Sequence, residues 1–252
     1  MNNNEIIAEQ VRQLKTDFDK VKQAGYEAGY NAGYTAGKSE GGDILAAYQQ
    51  GLVDGKQAEY DAFWDAYQAY GSRTDYSYAF YNWKDELFNP KYKFVKTRTC
   101  KFPYAFYGST IQDLSQHFFK SAAFQNAFMN SCVTKVGGVH ATVSNSQLNN
   151  AFFGCTLLEE IGEISCINST YFTGAFSGCS ELTKIIFVQG SKIGRSISFA
   201  SSSKLSSDSV DSIFKSLTTP VATNQTLTFH KDTVLTQEQK DAALALGWQI
   251  VQ

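Results

Sequence analysis

The strongest hydrophobic pattern in the chain is a short apolar word that occurs four times. Each copy starts with Ala-Phe, at 105–106, 127–128, 151–152 and 175–176, so the intervals are 22, 24 and 24 residues. A degraded fifth copy reaches Phe199. Within the copies, three further columns recur, the first six or seven residues after the Ala and the next two at steps of three, and all their members except His117 are apolar: Ile111, Val133, Leu158 and Leu182; Leu114, Val136, Ile161 and Ile185; and His117, Val139, Ile164 and Val188.

The period of this word predicts a stack of repeats. Fixed apolar columns at a spacing of roughly 20–29 residues are typical of a leucine-rich-repeat solenoid, in which each unit is one short strand plus a turn or short helical return. Cys155 and Cys179 share one register of the word. We expect both thiols to be packed inside the stack, because a catalytic thiolate needs an exposed site beside a positive group.

Ahead of the repeats, the pattern predicts a long helical stem over residues 1–71. Apolar residues at spacings of three and four in 5–21 indicate one amphipathic helix, which needs a partner to be stable in water. A four-residue Ala-Gly-Tyr repeat follows, and a second helical pattern ends near Gly71. The candidate oligomer interface is the tyrosine series Tyr26, Tyr30 and Tyr34. A flexible glycine-rich hinge is the alternative, although Ala, Glu and Lys between the glycines favour a helix.

The whole chain is therefore predicted to be α+β, with four regions. A coiled-coil-like stem occupies 1–71, an aromatic connector or cap 72–103, the leucine-rich repeats 104–205, and a C-terminal αβα cap 206–252. The cap prediction rests on two helical patterns that flank a strand-like segment, Gln225–His230.

Composition and charge exclude several classes of function. The 252 residues carry a net charge of -2 and no basic stripe, which disfavours nucleic-acid binding. No apolar run is long enough for a membrane span or a secretion signal, so we expect a protein that is made and kept in a cytoplasm or is assembled there into something larger. Five cysteines without a Cys-x-x-Cys pair, and three scattered histidines, predict no metal site. We predict no catalytic residues and no cofactor, because no nucleophile–base or nucleotide-binding constellation is present.

The word A-F-x-G-C-x-x-L-x-x-I, seen in "AFFGCTLLEEI" and "AFSGCSELTKI", resembles the BspA-type leucine-rich repeat. The ending from Leu205 to Val251 is similar to the usual close of such proteins. The segment 56–92 is similar to one that precedes these repeats in proteins of bacteriophages and prophages. The resemblance implies a repeat-built binding protein of phage origin, and it carries no catalytic residues.

These observations lead to two hypotheses of function. The first is a non-enzymatic virion protein of the tail or baseplate that binds another virion protein or a host surface protein or glycan. The second is an intracellular phage protein that binds and inhibits a host defence protein. Either is expected to be a homo-oligomer, a trimer before a dimer. The candidate binding face consists of charged residues between the apolar columns: Lys135, Glu159, Glu160 and Lys184. A merely solvated surface is the alternative for these four.

Overall fold

The computed structural model of the protein describes residues 80, 82, 99–121, 123–142 and 146–252. The predicted stem at 1–71 and the tyrosine interface at Tyr26, Tyr30 and Tyr34 lie outside these residues. The described part contains only two helices, α1 (Ser207–Lys215) and α2 (Gln237–Ala245), of nine residues each. All its strands belong to two parallel sheets. The predicted α+β class with a long helical stem is therefore wrong for this part of the chain, which has parallel α/β architecture.

The first sheet has four strands in sequence order. They are β1 (Asp113–Lys120), β2 (Lys135–Ala141), β3 (Glu160–Cys166) and β4 (Lys184–Phe187), and every neighbouring pair is parallel. Parallel neighbours need a long connection between them. Here one repeat supplies that connection, so the chain completes a circuit and returns beside its previous strand. We call residues 99–199 the repeat stack.

The strand register tests the predicted apolar columns. The column Leu114, Val136, Ile161 and Ile185 is confirmed, because these four residues pair in series across the sheet and are buried. The column from His117 to Val188 is wrong at its two ends. Two extra residues in β1 place Phe119 opposite Val139, and an irregularity between β3 and β4 places Phe187 opposite Ile164.

A ladder of phenylalanine rings runs through the core. Its neighbours stack with ring centroids 4.8–5.9 Å apart, within the range favoured by aromatic pairs. The ladder consists of Phe80, Phe106, Phe128, Phe152, Phe176, Phe199 and Phe229. Phe80 belongs to a further unit that the sequence pattern did not predict, and its amide donates to the carbonyl of Ala105 at 2.6 Å.

Each Ala-Phe pair lies in a turn, and on either side of the pair one residue has a left-handed backbone conformation with positive φ. In the third unit these are Asn150 (φ 52°) and Gly154 (φ 71°), four residues apart. Asparagine and glycine are the residues that adopt this conformation most readily. A Cβ added at Gly154 would lie 2.2 Å from Asn130 Oδ1 of the preceding turn. The turns therefore approach each other so closely that the asparagine of one covers the glycine of the next.

The second sheet closes the C-terminal part. It consists of β5 (Ile197–Phe199), β6 (Thr226–Phe229) and β7 (Gln249–Val251), in that order and all parallel. The predicted αβα cap is thus corrected to α1–β6–α2–β7, with β6 and β7 extending a sheet that begins at β5. Both helices begin at a side-chain cap, Ser206 for α1 and Thr236 with a capping box for α2.

All five cysteines carry free thiols, and four of them are buried. The prediction that Cys155 and Cys179 lie inside the stack is confirmed, since neither is exposed at all. Each thiol donates to a carbonyl of the preceding turn: Cys155 Sγ to Phe128 O at 2.8 Å and Cys179 Sγ to Phe152 O at 3.1 Å. Serine occupies the same register in neighbouring units, and Ser202 Oγ donates to Cys179 O at 3.0 Å.

Candidate binding face

Charged side chains form a row along the start of the four strands of the first sheet. Asp113, Lys135, Glu160 and Lys184 occupy the same register on β1 to β4, and we call them the charge row. Their charges alternate along it. Three of the four are exposed and Glu160 is half-buried. A row of this kind arises because each strand enters the sheet at the same point of its repeat, so one sequence column becomes one line on the surface.

The charge row contains three of the four residues predicted for the binding face. Lys184 forms an ion pair with Glu160, its neighbour on β3. The fourth residue, Glu159, is exposed one position earlier, outside the strand. Its amide donates to Thr134 O at 2.8 Å, and its carbonyl accepts from the amide of Thr183 at 2.9 Å. Glu159 therefore lies in the line next to the charge row, with its backbone fixed by both adjacent turns.

Asp113 shows how the row is electrostatically coupled. Partial burial on its own would raise the pKa of this carboxyl. Hydrogen bonds from Ser115, whose amide nitrogen is 2.8 Å from Asp113 Oδ1, and the nearby charge of Lys135 outweigh burial and lower the pKa. The carboxylate of Asp113 therefore stays charged to a lower pH than an isolated aspartate.

A second group on the same sheet was missed from the sequence. Phe118, His140 and Glu163 come from β1, β2 and β3. His140 Nε2 lies 3.4 Å from Glu163 Oε2, and the rings of Phe118 and His140 are 6.4 Å apart. The available signal was the Gly137-Gly138 pair inside a strand pattern, since a strand glycine often marks a close approach. A Cβ at Gly138 would lie only 2.9 Å from Phe118 Cδ1.

Three buried thiols, those of Cys155, Cys166 and Cys179, are unsuited to nucleophilic chemistry. Burial raises the pKa of Cys155 to about 11 and that of Cys166 to about 12, and it raises the pKa of Cys179 further still. A thiol is a good nucleophile only as a thiolate, which a raised pKa suppresses. Within the described ranges no group of three or more His, Cys, Asp or Glu residues is arranged to hold a metal ion.

Comparison with family models, with curated proteins and with solved structures gives no match. None of the helices in the described residues has the length and hydropathy needed to span a lipid bilayer.

Proposed function

We propose that the chain is a non-enzymatic binding protein of a bacteriophage or prophage, built from BspA-type leucine-rich repeats and carried on the tail or baseplate of the virion. In this proposal the charge row and Glu159 contact a protein or glycan on the host surface. The alternating row of Asp113, Lys135, Glu160 and Lys184 carries the proposal, together with the resemblance of the repeat word. Repeat stacks commonly use such extended surfaces for binding.

The virion role is tested by locating the protein. Particles purified from an induced or infected culture are compared with the soluble fraction of the same cells, using an antibody against this chain. The proposal expects the chain in the particles at a fixed ratio to a major tail protein. If it is found only in the soluble fraction, the virion role is wrong and the intracellular inhibitor becomes the better hypothesis.

The role of the charge row is tested by charge reversal. The variant Lys135→Glu with Lys184→Glu reverses both cations of the row, whereas Lys192→Glu with Lys204→Glu makes the same change in net charge at exposed positions outside it. Lys204 is a close match for Lys184, since it is about half exposed and is also paired with a glutamate of the preceding turn. Exposed ion pairs contribute about 0–1 kcal/mol, so both variants should remain folded.

Like charges brought together across an interface cost several kcal/mol. Particles that carry the row variant should therefore adsorb to host cells at least about tenfold less than particles that carry the control variant. Equal adsorption by the two kinds of particle would show that the charge row does not contact the host.

A further inference from the structure

The charge row is neutral as a whole and changes sign at every step. From β1 to β4 its signs are minus, plus, minus and plus, carried by Asp113, Lys135, Glu160 and Lys184. In the opposite direction the signs are plus, minus, plus and minus. The row is therefore the charge complement of its own reverse. A row of one sign, or an alternating row with an odd number of members, does not have this property.

The spacing of the row restricts which partners can match it charge for charge. Its members lie on neighbouring strands, and neighbouring strands of a sheet are about 4.7–4.9 Å apart. In an extended peptide, residues on the same side recur about every 6.6 Å, so such a partner falls out of step with the row after two or three contacts. A second copy of this chain has the same spacing and the same four charges.

The row is accessible to a facing surface. Three of its members are exposed and Glu160 is half-buried. The side chain of Lys184 is 51% exposed although it is already paired with Glu160. Two residues after the central members of the row, the sheet carries Gly137 and Gly162. Glycine has no side chain that would hold a facing sheet away.

We infer that the charge row pairs with the charge row of a second copy, sheet face to sheet face, about a two-fold axis that runs along the strands between β2 and β3. Such an axis reverses the order of the strands but leaves the position along each strand unchanged, so the two rows face each other over their whole length. Asp113 of one copy faces Lys184 of the other, and Lys135 faces Glu160, so each kind of pair occurs twice. A two-fold contact requires a self-complementary surface, and the alternating row supplies one.

The four contacts form a network of charges. Because the signs alternate both along each row and between the two rows, every charge has opposite charges beside it and facing it. The ion pair between Lys184 and Glu160 is therefore kept and extended. Isolated exposed ion pairs contribute little to stability, and networks are the case in which they contribute more.

This inference adds a regulation to the charge row, and the regulation rests on the proposed function. A row that is paired with a second copy cannot contact the host, so host binding requires the pair to open. The pairing itself depends neither on the host contact nor on the oligomer interface predicted at Tyr26, Tyr30 and Tyr34.

The test compares particle masses by light scattering of the full chain over a range of micromolar concentrations. Lys135→Glu with Lys184→Glu gives the whole row one sign, and this single-sign variant should have half the particle mass of the wild type or less. Lys192→Glu with Lys204→Glu makes the same change in net charge at exposed positions outside the row. This control variant should keep the wild-type mass.

A fully inverted row separates alternation from the identity of the charges. The inverted variant combines Asp113→Lys, Lys135→Glu, Glu160→Lys and Lys184→Glu. Its signs are again the complement of their own reverse and its net charge is unchanged, so it should keep the wild-type mass. It should not pair with the wild type, because like charges would face each other at all four positions. Energy transfer between two fluorophore-labelled wild-type samples should therefore be lost when one of them is replaced by the inverted variant.

Circular dichroism establishes that each variant is folded. A folded single-sign variant with the wild-type mass would overturn the inference, and so would a folded inverted variant with half that mass. Equal energy transfer in the two mixtures, or a wild type that stays monomeric at the highest concentration, would do the same.

Host adsorption distinguishes this inference from the proposed function. Self-pairing needs only alternating signs, whereas the host contact needs the wild-type order of charges. The inverted variant should therefore keep its mass and lose adsorption. If the single-sign variant loses adsorption at an unchanged mass, the self-pair is wrong and the host contact stands. If its mass is halved and its adsorption is unchanged, the self-pair stands and the host contact is wrong.

Discussion

Two backbone positions in every turn decide which residues the repeat word accepts. The positions flanking Ala-Phe-x are left-handed, and the second of them is filled in turn by Asn82, Gly108, Asn130, Gly154 and Gly178. Where a glycine follows an asparagine in this series, the asparagine side chain occupies the space that a Cβ would need. Glycine thus serves two purposes here, one for its φ angle and one for its missing side chain.

These two purposes can be separated by a matched pair of variants. Gly154→Ala places an alanine at a left-handed backbone position and also puts its Cβ 2.2 Å from Asn130 Oδ1. Gly190→Ala also places an alanine at a position with positive φ (87°), but nothing lies within 4 Å of the new Cβ. A left-handed alanine costs about 1–2 kcal/mol. In chemical denaturation, the free energy of unfolding should fall by about that amount for Gly190→Ala and by clearly more for Gly154→Ala.

The double variant Gly154→Ala with Asn130→Gly is the control for the clash. Glycine tolerates the left-handed conformation of residue 130 and removes the amide that the new methyl group would meet. Gly154→Ala should lose more unfolding free energy than Gly190→Ala, and the double variant should regain that difference. If it recovers nothing, contact with Asn130 is not the reason for glycine at 154.

At the scale of single elements, α1 explains why the first sheet ends at β4. Its serines accept the edge amides that a fifth strand would otherwise bind, and Ser209 Oγ also lies 3.4 Å from Thr183 O. Ser209 is completely buried. A short helix with hydroxyls at the right spacing therefore replaces a strand.

Removing one of these hydroxyls should be costly. Ser209→Ala leaves the amide of Ile185 without its acceptor in the interior, and an unsatisfied buried group costs about 1–3 kcal/mol. Ser207→Ala, at the exposed first residue of the same helix, tests the effect of losing a serine without losing a bond to β4. We expect the free energy of unfolding to fall for Ser209→Ala and to change by less than about 0.5 kcal/mol for Ser207→Ala. Similar losses for both would mean that the edge bond contributes nothing.

The elements also show how far a sequence pattern extends. The first two apolar columns and the Ala-Phe positions were predictable, because a constant period fixes which residues face inward. The third column was not, since two additional residues in β1 shift Phe119 into the place predicted for His117. The unit at Phe80 was missed for the same reason, because it precedes Phe106 by 26 residues rather than 22 or 24. Because its spacing is irregular, this unit is identified only by the stacking of Phe80 on Phe106 in the structure.

The binding face follows the same rule. Lys135, Glu160 and Lys184 were predicted together because one register of the repeat maps to one line on the sheet. His140 and Glu163 were not, because they belong to different columns of the repeat and come together only through the pairing of β2 with β3. One column of the repeat predicts one row of residues on the sheet. A contact between residues of different columns can be identified only when the packing of the strands is known.

At the scale of the whole molecule, the repeat stack has contacts that are mainly between neighbouring turns. The parallel class is a consequence of this arrangement, and the two helices of the described residues lie at the end that closes the stack. In such assemblies stability is approximately a sum of unit terms and nearest-neighbour terms. A destabilising substitution should therefore lower the local stability of its own turn and the adjacent turns more than that of distant turns.

The thiol of Cys155 reports on opening of its own turn, since it is buried and its pKa is raised to about 11. Phe152→Ala removes a central ring of the ladder, and Phe229→Ala removes one in the second sheet; such changes cost about 3–5 kcal/mol. We expect Phe152→Ala to speed alkylation of Cys155 at least about tenfold more than Phe229→Ala does. The half-exposed Cys132 calibrates the reagent in each sample. Equal acceleration by both variants would mean that the stack opens as one unit, and that its neighbour-to-neighbour description is wrong.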